Sequence, residues 1–375
     1  ELGRGLRAVD GVEIIDVEGA TLVPGLVDAH VHVTAATADL ATLPRLAPSY
    51  VTAQSAGILR AMLERGFTTV RDVGGADWGL ARALSEGLFA GPRLLFCGKA
   101  LSQTGGHADM RSLGEVALDD CSCCAGLGRI ADGVAAVRAA ARDELRKGAH
   151  HIKVMASGGV ASPTDRIDSI QYSIEELRAV VEEAESANRY VAAHAYTARA
   201  INRALKAGVR SIEHGNLLDD ESVRLLQTRD AYLVPTLVTY WALKQEGMEH
   251  GLPRDSWEKV DAVLEAGLAA LEQAARGGAR IAYGSDLLGG MHRHQSHEFR
   301  IRADVQSPLE VLRSATTVAA DLLGMTGHIG LITPGAHADL LIIDADPLED
   351  AGVLADPATH LRAVIQGGRV VVDRR

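Results

Sequence analysis

The sequence predicts an α/β chain built on a closed TIM (β/α)8 barrel, with a small β-sandwich domain assembled from both termini. Two observations lead there. Eight short apolar runs alternate with longer amphipathic stretches, the pattern of parallel strands joined by right-handed helical crossovers. Eight such pairs close a barrel, and 375 residues leave room for one barrel plus an accessory unit. An open doubly wound sheet would want a glycine-rich phosphate turn after its first strand, and none is present.

The expected strands are TLVPGLVDAHVHV (21–33), FTTVRDVG (67–74), PRLLFCGKAL (92–101), AHHIKVMAS (149–157), RYVAAHAYT (189–197), VRSIEHGN (209–216), AYLVPTLV (231–238) and ARIAYGSDLL (279–288). Between and after them, 49–65, 77–86, 130–147, 173–187, 198–207, 219–229, 255–276 and 307–323 read as helices; the intervening seven carry apolar residues at i, i+3 and i+4. Ser173 and Glu176 have capping-box spacing, and Gly66, Gly148 and Gly208 stand where helices end on glycine. Residues 11–20 read as a strand and turn, and 330–344 and 362–373 as antiparallel strands with tight turns. The expected division is therefore a small β-domain from 1–20 and 330–375, and a barrel over 21–329.

Composition narrows the function. Hydrophobic residues at 47% and charged residues at 23% are a globular balance, not a disordered one. A formal net charge of −11 argues against nucleic-acid and anionic-membrane partners. No apolar run reaches the ~18 residues a membrane helix needs. Three of four cysteines (Cys121, Cys123, Cys124) crowd one loop, a poor disulfide framework, so a reducing, cytoplasmic setting is expected. The same CSCC run lacks a second ligand pair, so a capping loop is expected there rather than zinc. The opening ELGRGLRAVDGVEI has no signal-peptide core.

The chemistry lies at the C-terminal ends of the strands, the face on which barrels build their sites. His30 and His32 are two apart on the first strand, so both imidazoles point to the same side and form half a metal site. Lys153, His194, His214 and Asp286 stand near the ends of the fourth, fifth, sixth and eighth strands. Each alone reads as a rim residue; five strands contributing metal-compatible groups point to a metal centre. A lysine inside such a barrel either pairs with an acid at the rim or stays neutral beside the cations. As a neutral amine it can add CO2, becoming a carbamate that bridges two metals.

PGLVDAHVH (24–32), HHIKVMASGG (150–159), AAHAYT (192–197), SIEHGN (211–216), YGSDLL (283–288) and PGAHADLLIID (334–344) together resemble the amidohydrolase superfamily across nearly the whole chain. The resemblance implies two divalent metals, commonly Zn2+, bridged by a carboxylated Lys153. One metal would take His30, His32, Lys153 and Asp286; the other Lys153, His194 and His214. Asp286 would serve as general base toward a metal-bridged hydroxide, then as acid toward the leaving nitrogen. Fewer residues than usual precede His30, so the N-terminal part of the β-domain is expected to be incomplete.

LSQTGGHADMR, HHIKVMASGGVASPTD, HAYT, VPTLVTY and GSDLLGGMHRHQSHEFR resemble a narrower branch, the Xaa-Pro dipeptidase (prolidase)-like and ochratoxinase-like enzymes. That implies a small-molecule amide or dipeptide substrate, with His107 as a catalytic and substrate-binding contact and Tyr196 as a second substrate contact. The loop with His292, His294, His297, Arg293 and Arg300 is a candidate pocket mouth or a solvated loop. Two rivals remain: carbamate, phenylurea or cyclic-amide (imidazolonepropionase-like) hydrolysis, and a metal-free scaffold of the same fold. Homo-oligomers are common among such barrels and one is expected here.

Overall fold

The computed structural model describes residues 14–116 and 124–375, with Gly3 and Gly11. Among the described residues fourteen strands follow in chain order: β1 Thr21–Pro24, β2 Leu26–Val31, β3 Phe67–Asp72, β4 Arg93–Phe96, β5 Ala100–Ser102, β6 Gly128–Ile130, β7 Ile152–Met155, β8 Val191–Thr197, β9 Ser211–Leu217, β10 Tyr232–Val234, β11 Arg280–Ile281, β12 Leu340–Ile343, β13 Leu361–Gln366 and β14 Arg369–Asp373.

Two parallel sheets, β2-β3-β4 and β11-β10-β9-β8-β7-β5-β6, make up the barrel wall. On one side the ring closes through Ala29 N–H to Tyr283 O (2.8 Å) and Asp286 N–H to His30 O (2.9 Å). On the other, the expected third strand breaks at Gly98, whose φ is 74°. Its first half pairs with β3 and its second with β7, and His150 N–H reaches Phe96 O at 2.8 Å.

The helices form where apolar periodicity and capping agree. Ala198–Ala207 starts at Thr197, whose side chain accepts from Ala200 N–H, and stops at Gly208 with φ 103°. It buries Ile201 and Leu205 against the barrel, each contributing roughly 1.5–3 kcal/mol. Ser173 and Glu176 form the expected reciprocal capping box.

Several expectations need correction. Thr21–Pro24 was expected to open the first barrel strand; it pairs antiparallel with β12 instead. The chain crosses from sheet to barrel at Gly25, where a Cβ would lie 2.2 Å from Thr68 Oγ1. Among the described residues of 11–20 there is a turn and no strand. The run 231–238 stops as a strand at Val234, because Pro235 lacks the N–H a ladder needs, and Leu237–Glu246 is helical. Helix 307–323 divides into Pro308–Ser314 and Thr317–Leu322. Thr316 between them leaves helical geometry (ψ −98°) and turns its hydroxyl onto Leu312 O. Within 330–344 only Leu340–Ile343 is a strand.

The small sheet runs β1-β12-β13-β14, all antiparallel. Leu341, Leu361 and Val364 pack it onto Leu63 and Phe67 of the barrel, and Arg93 pairs with the buried Asp339 at 2.9 Å. No helix among the described residues is long and apolar enough to cross a membrane.

Candidate metal centre

Five of the six side chains expected at the site are buried at the C-terminal end of the barrel, and the sixth, Asp286, keeps 17% of its side chain exposed. His30 Nε2 and His32 Nε2 lie 3.2 and 3.3 Å from Asp286 Oδ1, while His214 Nδ1 lies 3.8 Å from Asp286 Oδ2. Asp286 thus stands between β2 and β9 with one oxygen toward each. The His194 and His214 rings are 4.7 Å apart, and those of His30 and His214 4.9 Å. His32, Lys153, His194, His214 and Asp286 all line one cavity of about 380 Å3. Ligand atoms of His30, His214 and Asp286 fall within 4.8 Å of one another.

Local backbone geometry makes this convergence possible. His214 and Asp286 both adopt positive φ, 75° and 54°, a costly conformation for non-glycine residues and one concentrated at functional sites. Gly284 admits the approach of β11 to β2, since a Cβ there would sit 2.8 Å from His30 Cβ.

Surrounding partners set tautomers. His30 Nδ1 contacts Glu213 Oε2 at 2.8 Å, and a carboxylate only accepts, so the proton is on Nδ1 and the Nε2 lone pair is free. His32 Nδ1 likewise donates to Gly74 O at 2.9 Å. Glu213 is held by Arg71 Nη2 at 2.8 and 2.9 Å and by Ser211 Oγ at 2.6 Å, all fully buried. Burial raises the Glu213 carboxyl, but Arg71 and His30 outweigh it and hold the group well below the usual carboxylate range.

The donor set fits divalent cations. His30 Nε2 is buried without a hydrogen-bond partner, its approach to Asp286 lacking hydrogen-bond geometry. Burial pushes His194 and His214 well below the ordinary imidazole value, leaving neutral rings with free lone pairs. Burial opposes charge on Asp286 too, but His30 and His32 hold it well below the ordinary range. Burial lowers the Lys153 ammonium, and among the described residues its amine has no hydrogen-bond or salt-bridge partner. A buried, partnerless amine among neutral imidazoles and a carboxylate suits a cation-binding group better than a rim ion pair.

His107 also lines the cavity; its ring stacks on His194 with centroids 4.2 Å apart, and burial lowers its pKa. Gly159 makes room, because a Cβ there would fall 2.0 Å from the His107 ring. Tyr196 lines the same cavity, its hydroxyl 3.1 Å from that of Tyr240. Leu243, Leu288, Val160 and Met155 supply apolar wall.

Other expectations fare differently. None of His292, Arg293, His294, His297 and Arg300 lines the cavity. His294 pairs with Glu246 at 2.6 Å and His297 packs on Trp241, so this segment braces helix 237–246. Cys121 and Cys123 lie outside the described residues, and Cys124 is partly exposed.

The sequence reading assigned no role to Glu213, Arg71 or Tyr240, although Glu213 stands beside His214 in SIEHGN and Tyr240 closes VPTLVTY; Arg71 carried no such signal.

A parallel barrel with a cluster of candidate cation ligands at its strand ends points to a hydrolase, and the comparisons give the class. Residues 21–371 match the amidohydrolase family model, and the chain belongs to that family. It is 35% identical over 368 residues to the ochratoxinase of Aspergillus niger, covering 93% of this chain and 75% of that one. The structure of a prolidase complexed with N-methylphosphonate-L-proline is 52% identical with a TM-score of 0.95, covering 98% of this chain and 91% of the other. A Xaa-Pro dipeptidase with methionine in its active site is 30% identical with a TM-score of 0.87, covering 97% and 90%. The chain is therefore a hydrolytic amidase.

Proposed function

We propose that the chain cleaves the amide bond of dipeptides or N-acyl amino acids, Xaa-Pro dipeptides foremost. The observation that carries the reading is the convergence of His30, His32, Lys153, His194, His214 and Asp286 on one buried end of the barrel. The similarity to a prolidase, a Xaa-Pro dipeptidase and an ochratoxinase supports the choice of an amide whose leaving group is an amino acid.

His30, His32 and Asp286 would hold one divalent cation, His194 and His214 a second, with Lys153, carboxylated, joining the two; zinc suits this mixed imidazole and oxygen set. Bound there, such ions supply Lewis acidity toward the scissile carbonyl and lower the pKa of water toward neutrality. Asp286, beside His214 and on the cavity wall, would take the proton of the attacking water. The protonated carboxyl then returns it to the leaving nitrogen. Tyr196 and His107 bind and orient the substrate, and the apolar wall excludes water from the reacting amide.

Metal analysis and a substrate screen test the proposal. About two zinc ions per chain are expected, with turnover of Xaa-Pro dipeptides or N-acyl amino acids when zinc is supplied. A folded protein that binds no metal, or one that opens only carbamates, ureas or cyclic amides, would defeat it.

A further inference from the structure

One short segment steadies two of the cavity histidines, and a lysine from a distant helix holds that segment. Residues 158–165 leave the end of β7 and fold back beside it. They are tied by a bridge between Ser157 and Ile170 and by Gly158 N–H to Ser169 O at 3.0 Å. The fold-back is tight, since a Cβ on Gly158 would fall 1.9 Å from Arg166 O. Past Gly158 the backbone does not support itself: among the described residues, no amide or carbonyl of 159–165 pairs with another backbone group.

Side chains link this run to the site. His194 Nε2 lies 3.1 Å from Gly158 O, and a carbonyl only accepts. The ring proton is therefore on Nε2, and the Nδ1 lone pair is free for a cation. Ser162 Oγ lies 2.7 Å from His107 Nδ1 and also contacts Asp165 Oδ1, while Gln171 Nε2 donates to Asp165 Oδ2 at 2.8 Å. His107 and His194 are the stacked pair of the cavity, so the same segment grips one nitrogen of each ring. Val160, in the middle of the run, lines the cavity itself.

The path of the segment is fixed by Lys259, on the helix Arg254–Arg276. Its ammonium donates to Ser162 O at 2.8 Å and to Asp165 O at 2.9 Å, and reaches Gly159 O at 3.4 Å. An ammonium has three N–H donors, and three carbonyls converge on this one. Bonds from a charged donor are the stronger kind. Without the cation, three carbonyl dipoles would face one another across a partly buried gap, and nothing in the backbone of 159–165 would keep them there.

We propose that Lys259 is a positioning residue: by gathering the carbonyls of 159–165 it keeps Gly158 O on His194 and Ser162 on His107, so that a cation held by His194 and His214 meets a ring already turned to receive it. This rests on the two-cation reading above.

Lys259→Met keeps the apolar stem and removes the three donors. On the metal-free, full-length protein, trypsin cleavage after the exposed Arg166 should rise about tenfold or more. Cleavage after Arg60, exposed on the helix Pro48–Glu64, should stay unchanged. In the zinc-loaded protein, competition with a chelating dye should show one of the two ions held about tenfold or more weakly and the other held as before. Lys259→Ala should behave the same way and recover in n-propylammonium, which replaces the atoms the substitution removes. It should not recover in tetramethylammonium at equal ionic strength, which has no N–H to give. Equal acceleration at Arg166 and Arg60, unchanged affinity for both ions, or the same response to the two amine salts would overturn the role. A wild-type chain that binds no zinc would sink the metal reading, while the cleavage pattern would still decide whether Lys259 holds the segment.

Discussion

Replacing Glu213 tests the most heavily buried part of the site. Its carboxylate touches Arg71 at 2.8 and 2.9 Å, Ser211 at 2.6 Å and His30 at 2.8 Å, with no exposure on either charged partner. Glu213→Ala leaves the Arg71 guanidinium charged, dry and unpaired, a change worth about 3–5 kcal/mol of stability. It also releases His30 Nδ1, so the ring no longer keeps its Nε2 lone pair facing Asp286. Loss of such a supporting carboxylate weakens metal binding roughly 10- to 100-fold. Denaturant unfolding of the metal-free protein measures the first quantity, and competition with a chelating dye measures zinc affinity. Glu213→Gln keeps the shape and supplies the affinity measurement if the alanine variant does not fold. Removing both charges, as in Glu213→Leu with Arg71→Met, should recover much of the stability but none of the affinity. A stability loss below about 1 kcal/mol in Glu213→Ala, no more than a surface ion pair is worth, with unchanged zinc affinity, would refute the argument.

Three further outcomes follow from the same geometry. Lys153→Ala should drop zinc content from about two ions toward one and abolish most turnover; full metal and full activity would end the carbamate idea. Gly284→Ala drives a methyl to 2.8 Å from His30 Cβ and 2.6 Å from Val234 Cγ1, so a loss of about 1–3 kcal/mol in thermal unfolding is expected together with weaker zinc binding. Burial, aided by Arg65, pushes His292 down to about 3, below its ordinary 6.5. The unfolded chain therefore binds this proton first, and wild type should lose stability relative to His292→Gln by about 1.4 kcal/mol per unit as pH falls from 6.5 toward 3. A pH-independent difference between the two in denaturant titrations would contradict that environment.

How far the primary structure could be read depended on the range of the physics involved. The 198–207 helix was legible to its last residue, because apolar spacing, Thr197 and Gly208 all act within a few positions of one another. The same held for His30 and His32, whose shared direction is a property of one extended segment. The end of β10 was missed although Pro235 was in plain sight: AYLVPTLV is apolar throughout, and periodicity cannot tell a buried strand from a buried helix in so short a run.

Local pattern therefore gave most of the elements, their order, and the histidines, lysine and aspartate that the fold brings to the barrel mouth. Folding decided everything that needs two distant segments to touch. Glu213 meets His30 across 183 positions and Arg71 across 142, and Lys259 reaches Ser162 across 97. No periodicity encodes such pairings, because they arise from strand register and loop path. Charge state and proton placement follow those contacts, so the tautomers of His30 and His32 became readable only once Glu213 and Gly74 were in place.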